Sequence, residues 1–98
     1  MKLQMHSIHF DADIKLLDFI QKKTDKLNTF YDRIIDGEVF MRLEKNDVEN
    51  KVVEIKLNIP GSQLFAKEQS KSFEAATDLA VEALRRQLKK FKEKQKVA

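Results

Sequence analysis

Two stretches of the chain alternate between apolar and polar residues with the two-residue period of half-buried strands. Across residues 38–45, Val39, Met41 and Leu43 take one face and Glu38, Phe40, Arg42 and Glu44 the other. Across residues 51–59, Val53, Ile55, Leu57 and Ile59 oppose Val52, Glu54, Lys56 and Asn58. The intervening Asn46-Asp47-Val48-Glu49-Asn50 reads as a hairpin turn. Leu3, Met5 and Ile8 predict a strand over residues 2–9. A last short strand, over 63–69, follows Pro60-Gly61, the strongest turn signal in the chain.

The rest of the pattern is helical. From Ile14, the apolar positions Leu17, Ile20, Leu27 and Tyr31 recur at helical spacing, and Leu16, Phe19 and Phe30 widen the stripe. This predicts a helix ending near Tyr31–Asp32, with Asp11 or Asp13 as its N-cap. Ser70 or Ser72 caps a second, longer helix that runs to about residue 94. Ala76, Leu79, Ala80, Ala83, Leu84, Leu88 and Phe91 gather on one side of it. The order is β-α-β-β-β-α in a single domain over residues 1–98. Consecutive antiparallel strands predict a four-stranded sheet with both helices packed on one face. That is an α+β fold, double-stranded-RNA-binding-domain-like in its arrangement.

Charge sharpens the picture. The net charge of +3 says little, but its distribution says more. Residues 36–54 hold six acidic and three basic side chains, whereas 85–96 hold seven basic and one acidic. On a helix, Arg85, Lys89, Lys92 and Lys96 form one stripe, Arg86 and Lys90 a row beside it, and Lys94 lies further along. Like charges at this spacing repel by a few tenths of a kcal/mol per pair, so a polyanionic partner explains why they persist. On the first helix Lys15, Lys22 and Lys26 share a stripe, with Lys23 on its apolar border and Asp18 and Asp25 on the adjacent face. Two helices side by side would merge these faces into one electropositive surface, suited to RNA backbone more than to base sequence. Arg85 and Arg86 add bidentate phosphate binding or base stacking. Tyr31 and Phe91 point to the core, while Phe40 and Phe65 fall on the open sheet face, where a small stacking role is available. A membrane-surface reading of the last helix is weaker, because its apolar side is alanine-rich and committed to the sheet.

Little here favours catalysis. Cysteine is absent, which removes disulfides, thiolate metal sites and thiol nucleophiles. His6 and His9 have no accompanying nucleophile motif and too few partners for zinc. Two glycines make no phosphate cradle, and the carboxylates are scattered among lysines. The expectation is a protein that is not an enzyme, with no cofactor, no metal and no small-molecule substrate. The N-terminus lacks the apolar run of a signal peptide, and no stretch is apolar enough to span a membrane. A soluble cytoplasmic protein is expected.

Phe73-Glu-Ala-Ala-Thr-Asp, followed by Leu84-Arg-Arg-Gln-Leu-Lys-Lys-Phe-Lys-Glu-Lys, resembles the C-terminal helix of the short ribosome hibernation-promoting factors, the ribosome-associated inhibitor or protein Y type. Lys23-Thr-Asp-Lys-Leu and Phe30-Tyr-Asp-Arg-Ile resemble that family's first helix and its exit. The resemblance covers nearly the whole chain. It implies a factor that binds the small ribosomal subunit and its rRNA, in the channel used by mRNA and the A- and P-site tRNAs. Such factors hold ribosomes idle and protected in stationary phase or stress. By position, Lys23, Lys26, Arg86, Lys90 and Lys94 match basic positions of the family that face rRNA. With Lys22, Arg85, Lys89 and Lys92 they form the candidate rRNA-binding set. Three departures stand out: Ala83 where lysine is common, Lys71 where an acid is usual, and Phe91 in place of histidine or tyrosine. The chain ends just past the helix, so the ribosome-dimerising domain of long relatives and an acidic tail are not expected. The protein is expected to be monomeric off the ribosome. The alternative reading is a general structured-RNA-binding or ribosome-assembly module. A third is a protein-interaction domain whose lysines are only solvated.

Overall fold

In the computed structural model, which describes residues 1–45 and 48–95, the chain runs β1 (Lys2–Ile8), α1 (Ile14–Asp25), α2 (Leu27–Phe30), β2 (Asp36–Leu43), β3 (Lys51–Ile59), β4 (Ser62–Ser70) and α3 (Phe73–Gln95). The four strands form one sheet in the order β1-β2-β3-β4, and the α+β class holds. One expectation changes. β2, β3 and β4 are antiparallel, but β1 pairs with β2 in parallel, from Lys2 opposite Asp36 to Ile8 opposite Arg42. The helical segment between β1 and β2 is the cause: a crossover over one face returns the chain to the end of the sheet where it began.

The first helix is interrupted at Lys26, which separates α1 from α2. There the carbonyl of Lys26 accepts from both the backbone N–H and the hydroxyl of Thr29, at 3.2 and 2.7 Å. This i+3 pairing tightens the last turn. Asp13 caps α1 by accepting from the Leu16 N–H at 3.0 Å, and Ser72 caps α3 through the Ala75 N–H at 3.0 Å. β2 begins two residues before the expected start. Gly37 lets it do so, because a Cβ there would stand 2.6 Å from the Lys56 carbonyl oxygen and 2.7 Å from a Leu57 methyl. Gly61 takes φ +74 in the turn after Pro60, the left-handed region that glycine enters without penalty. The predicted β2–β3 turn falls partly outside the described residues; the Glu44 N–H to Asn50 carbonyl bond, 2.8 Å, closes its base.

Both helices cover one face. Leu16, Ile20 and Leu27 from the first helical segment and Ala76, Ala80, Leu84 and Leu88 from α3 are buried against Val39, Met41, Val53, Ile55, Leu57 and Ile59. Tyr31 is buried edge-on against Phe91, ring centroids 5.8 Å apart. Three expected apolar positions miss this core. Ile14 and Leu79 are exposed because they flank the buried stripes, and Leu43 because it ends its strand beyond the helices. Val52, expected on the polar face, is fully buried among its neighbours on the other side of the sheet.

Candidate nucleic-acid interface

The outer surface of the helical layer is built by α1, α2 and α3 packed side by side. Between them runs a groove lined by Lys23, Lys26, Phe30, Asp78, Glu82 and Arg85 among others. It continues past Phe30 between Arg85, Lys89, Lys92 and Glu93. The helices align this way because the buried stripes set their rotation. With Ile20 and Thr24 inward on α1, Lys23 turns toward α3; with Leu84 and Leu88 inward, Arg85 and Lys92 turn toward α2.

The structure sorts the nine candidate residues into two groups. Four are engaged within the protein. Lys23 lies 3.2 Å from Asp78 and 5.5 Å from the centre of the Phe19 ring. Arg85 donates to Glu82 at 2.8 and 3.2 Å, and Arg86 approaches the same carboxylate at 3.7 Å. Lys92 donates to the Phe30 carbonyl at 2.9 Å and sits 4.5 Å from that residue's ring centre. The other five, Lys22, Lys26, Lys89, Lys90 and Lys94, are exposed, and none has an ion-pair partner among the described residues. Lys96, which continues the stripe, lies outside the described residues.

The merged surface is therefore real in part. Lys23, Lys26, Arg85, Lys89 and Lys92 share the groove, while Arg86, Lys90 and Lys94 line the outer side of α3 and Lys22 the outer side of α1. Asp78 and Glu82 are acids that the charge pattern over 85–96 leaves out and that the structure brings onto the cationic face. The i+3 and i+4 spacing from Glu82 to Arg85 and Arg86 was the available signal. Hydrogen bonding from Arg85 holds the Glu82 carboxyl below its ordinary value, and the same bond raises the Arg85 guanidinium. Glu82 is thus an anion built into the cationic face, hydrogen-bonded to the Arg85 guanidinium and close to that of Arg86.

Nothing in this arrangement positions a nucleophile or a proton-transfer pair. Among the described residues no three His, Asp or Glu side chains gather as a metal site, and no helix is long and apolar enough to cross a membrane. His6 lies on the opposite side of the sheet, its Nε2 3.0 Å from Glu38 Oε2. What the helical face offers is a set of cations carried at helical spacing on packed helices, the residue type that contacts phosphates along a nucleic-acid backbone.

Fold and face together define a small α+β protein with a polycationic two-helix surface. Residues 3–96 match the family described as Sigma 54 modulation protein / S30EA ribosomal protein, and the chain belongs to that family. A ribosome hibernation promoting factor of Pseudomonas putida is 34% identical over 95 residues, which span 97% of this chain and 90% of that protein. One from Azotobacter vinelandii is 33% identical across 97% of this chain and 86% of its own length. A ribosome hibernation promotion factor of Deinococcus radiodurans is 33% identical over 91% of this chain, which spans only 48% of that protein. In three dimensions the chain is similar to a ribosomal subunit interface protein from Coxiella burnetii, with a TM-score of 0.85 and 26% identity over 95% of this chain and 99% of the other. The N-terminal domain of Thermus thermophilus Protein Y shares the fold, with a TM-score of 0.82 and 24% identity over 93% and 99% of the two chains. These relatives are hibernation and interface factors, which are not enzymes, and this chain is likewise not an enzyme.

Proposed function

We propose that the protein is a cytoplasmic ribosome hibernation factor that binds the small subunit through its helical face. The observation that carries this is the cationic groove and ridge of α1, α2 and α3, in a chain whose relatives are named ribosome hibernation promoting factors. Lys22, Lys26, Lys89, Lys90 and Lys94 meet rRNA phosphates directly; Arg85, held by Glu82, presents an oriented guanidinium group, and Arg86 a freer one beside it. Lys23 and Lys92 shape the surface more than they contact RNA. The bound protein fills the decoding channel and keeps out mRNA and the A- and P-site tRNAs by overlap. In stationary phase or stress this idles and protects the ribosome. Off the ribosome the protein is a monomer.

The test is sedimentation of the protein with stationary-phase lysate through a sucrose gradient, followed by a salt titration on purified small subunits. Co-migration with small subunits or whole ribosomes is expected. About six phosphate contacts would lose affinity on the order of a thousandfold between 50 and 200 mM salt. Spread across all RNA-containing fractions would instead favour a general structured-RNA binder. A flat salt dependence would sink the electrostatic account.

A further inference from the structure

The face of the sheet turned away from the helices carries a second cluster with different chemistry. His6 on β1 and Phe40 on β2 are register partners. Their rings stack with centroids 4.7 Å apart and planes within 14°, and the His6 side chain remains 41% exposed. On β3, Lys56 stands with its Nζ 6.0 Å from the centre of the Phe40 ring. Lys56 is in turn the register partner of Phe65 on β4, whose ring position is 46% exposed. Phe40 and Phe65 are two strands and one side-chain row apart, on the order of 10 Å by ordinary strand spacing. Lys56 lies between them.

The charges on this face are sorted as well. Its acids have partners of different kinds: Glu38 is in contact with His6, Glu44 and Glu54 share Arg42, and Asp36 accepts from Asn58 at 2.6 Å. Lys56 and Lys67, which flank Phe65 across and along the sheet, make no ion pair among the described residues. Glu38 and Glu54 face Lys56 and Lys67 across the ladder without pairing with them, so both ammonium groups stay free beside the exposed ring.

Flat rings on a rigid sheet with a cation between them suit a strand whose bases are unstacked. Every base has a π-face, so such stacking tolerates sequence, and the intervening cation meets the linking phosphate. A duplex hides its base faces and has no use for the rings. We infer that the open sheet face is a binding site for single-stranded nucleic acid, with bases stacked on Phe65 and on the His6–Phe40 pair and phosphates held by Lys56 and Lys67. This site lies across the sheet from the helical face and does not depend on the function proposed above.

The experiment uses the full chain and a fluorescein-labelled ten-nucleotide oligouridylate, read by anisotropy at about 50 mM salt. Saturable one-to-one binding is expected. Phe65→Leu keeps an apolar side chain and removes the ring, and should weaken binding on the order of tenfold. Phe65→Tyr should restore it, which separates loss of stacking from loss of fold. Lys56→Gln should weaken it several-fold. The proposal is overturned by no saturable binding up to millimolar protein, or by Phe65→Leu or Lys56→Gln binding like the parent. Intact oligouridylate binding in a protein that ignores ribosomes would count against the hibernation reading alone.

Discussion

The ammonium of Lys92, near the end of α3, donates to the main-chain carbonyl of Phe30 at the end of α2, 2.9 Å away and 62 residues distant in sequence. The same ammonium lies 4.5 Å from the centre of the Phe30 ring. One lysine thus satisfies a carbonyl that the short α2 leaves without a helical partner and holds the far ends of two helices together. Lys92→Met keeps the aliphatic stem and removes the donor. It should lower stability by about 1 kcal/mol, from the charged hydrogen bond and the cation–π contact combined. Lys89→Met, one turn earlier and exposed, should leave stability unchanged and weaken ribosome binding. Chemical denaturation of the two variants side by side checks the assignment; equal stabilities would show that Lys92 does not clamp the helices.

Glu82 makes the opposite kind of prediction. Its carboxylate neutralises part of the face that is proposed to meet phosphate. Glu82→Gln should tighten RNA binding on the order of threefold at low salt, with the gain shrinking as salt screens it. The acid dependence follows from the Arg85 hydrogen bond, which holds the Glu82 carboxyl below the usual carboxylate range. A depressed folded-state value contributes stability above the unfolded value and loses it as pH falls through the folded one. The pairing is therefore present at neutral pH, persists to lower pH than an unpaired glutamate would allow, and is lost as pH falls through the depressed folded-state value. Binding measured between pH 6 and pH 8 should not change on account of Glu82, and a titration in that window with Glu82→Gln alongside is the check.

Stability and binding should also separate along α3. Leu84 and Leu88 are fully buried, whereas Arg86 and Lys90 are exposed on the outer side of the same helix. Leu88→Ala should cost roughly 2–5 kcal/mol through lost packing and the cavity left behind. Arg86→Glu/Lys90→Glu should shift stability by no more than about 0.5 kcal/mol per site and abolish co-sedimentation with ribosomes. Strong ribosome binding by the charge-reversed protein would mean that the binding surface lies elsewhere.

Gly37 tests the sheet. It sits mid-face between Leu3 and Leu57, its register partners on β1 and β3. A methyl group there meets the Lys56 carbonyl oxygen and the Leu57 and Leu3 side chains at 2.6, 2.7 and 2.9 Å. The first of these is backbone and cannot rotate away. Gly37→Ala should destabilise by about 1–3 kcal/mol, the usual range for overpacking, although alanine favours regular structure more than glycine does. A thermal midpoint equal to the parent's would show that β2 moves aside at no cost.

How far the sequence could be read depended on whether the signal was local. Alternation in β2 and β3 assigned Val39, Met41, Val53, Ile55 and Leu57 to the core, because side-chain direction in a strand depends only on parity. Strand direction is not written in that parity. The parallel pairing of β1 with β2 follows from the intervening helix, a consequence of the crossover that no single strand's pattern carries. Asp13 and Ser72 were legible as caps because capping is decided within three residues. The Lys92–Phe30 clamp was not legible, since it exists only once α2 and α3 are docked. For the same reason Lys23 and Lys92 read as two more free cations, when Asp78 and Phe30 hold them. Ile14 and Leu79 match the apolar spacing and still lie outside the core, because a periodic stripe has edges that only the packed neighbour defines.

The proposed mechanism itself makes the last prediction. Two cationic helices fixed to one sheet form a rigid wedge, with the buried stripe of α3 seated on β3 and β4 and its exposed lysines outward. A wedge acts by occupancy. Inhibition of translation in a purified system should therefore track the ratio of protein to ribosomes and reach completion near one to one. It should need no nucleotide and leave the rRNA chemically unchanged. Order of addition should matter: ribosomes already holding mRNA and initiator tRNA should resist, because the same space is filled. Raising tRNA and mRNA concentration should relieve inhibition of free ribosomes in a competitive manner. The measurements are a titration of ribosomes at fixed protein and primer extension on the recovered rRNA. Complete inhibition at a small fraction of the ribosome concentration, or a new stop in the primer-extension ladder, would replace occupancy with turnover and overturn the wedge.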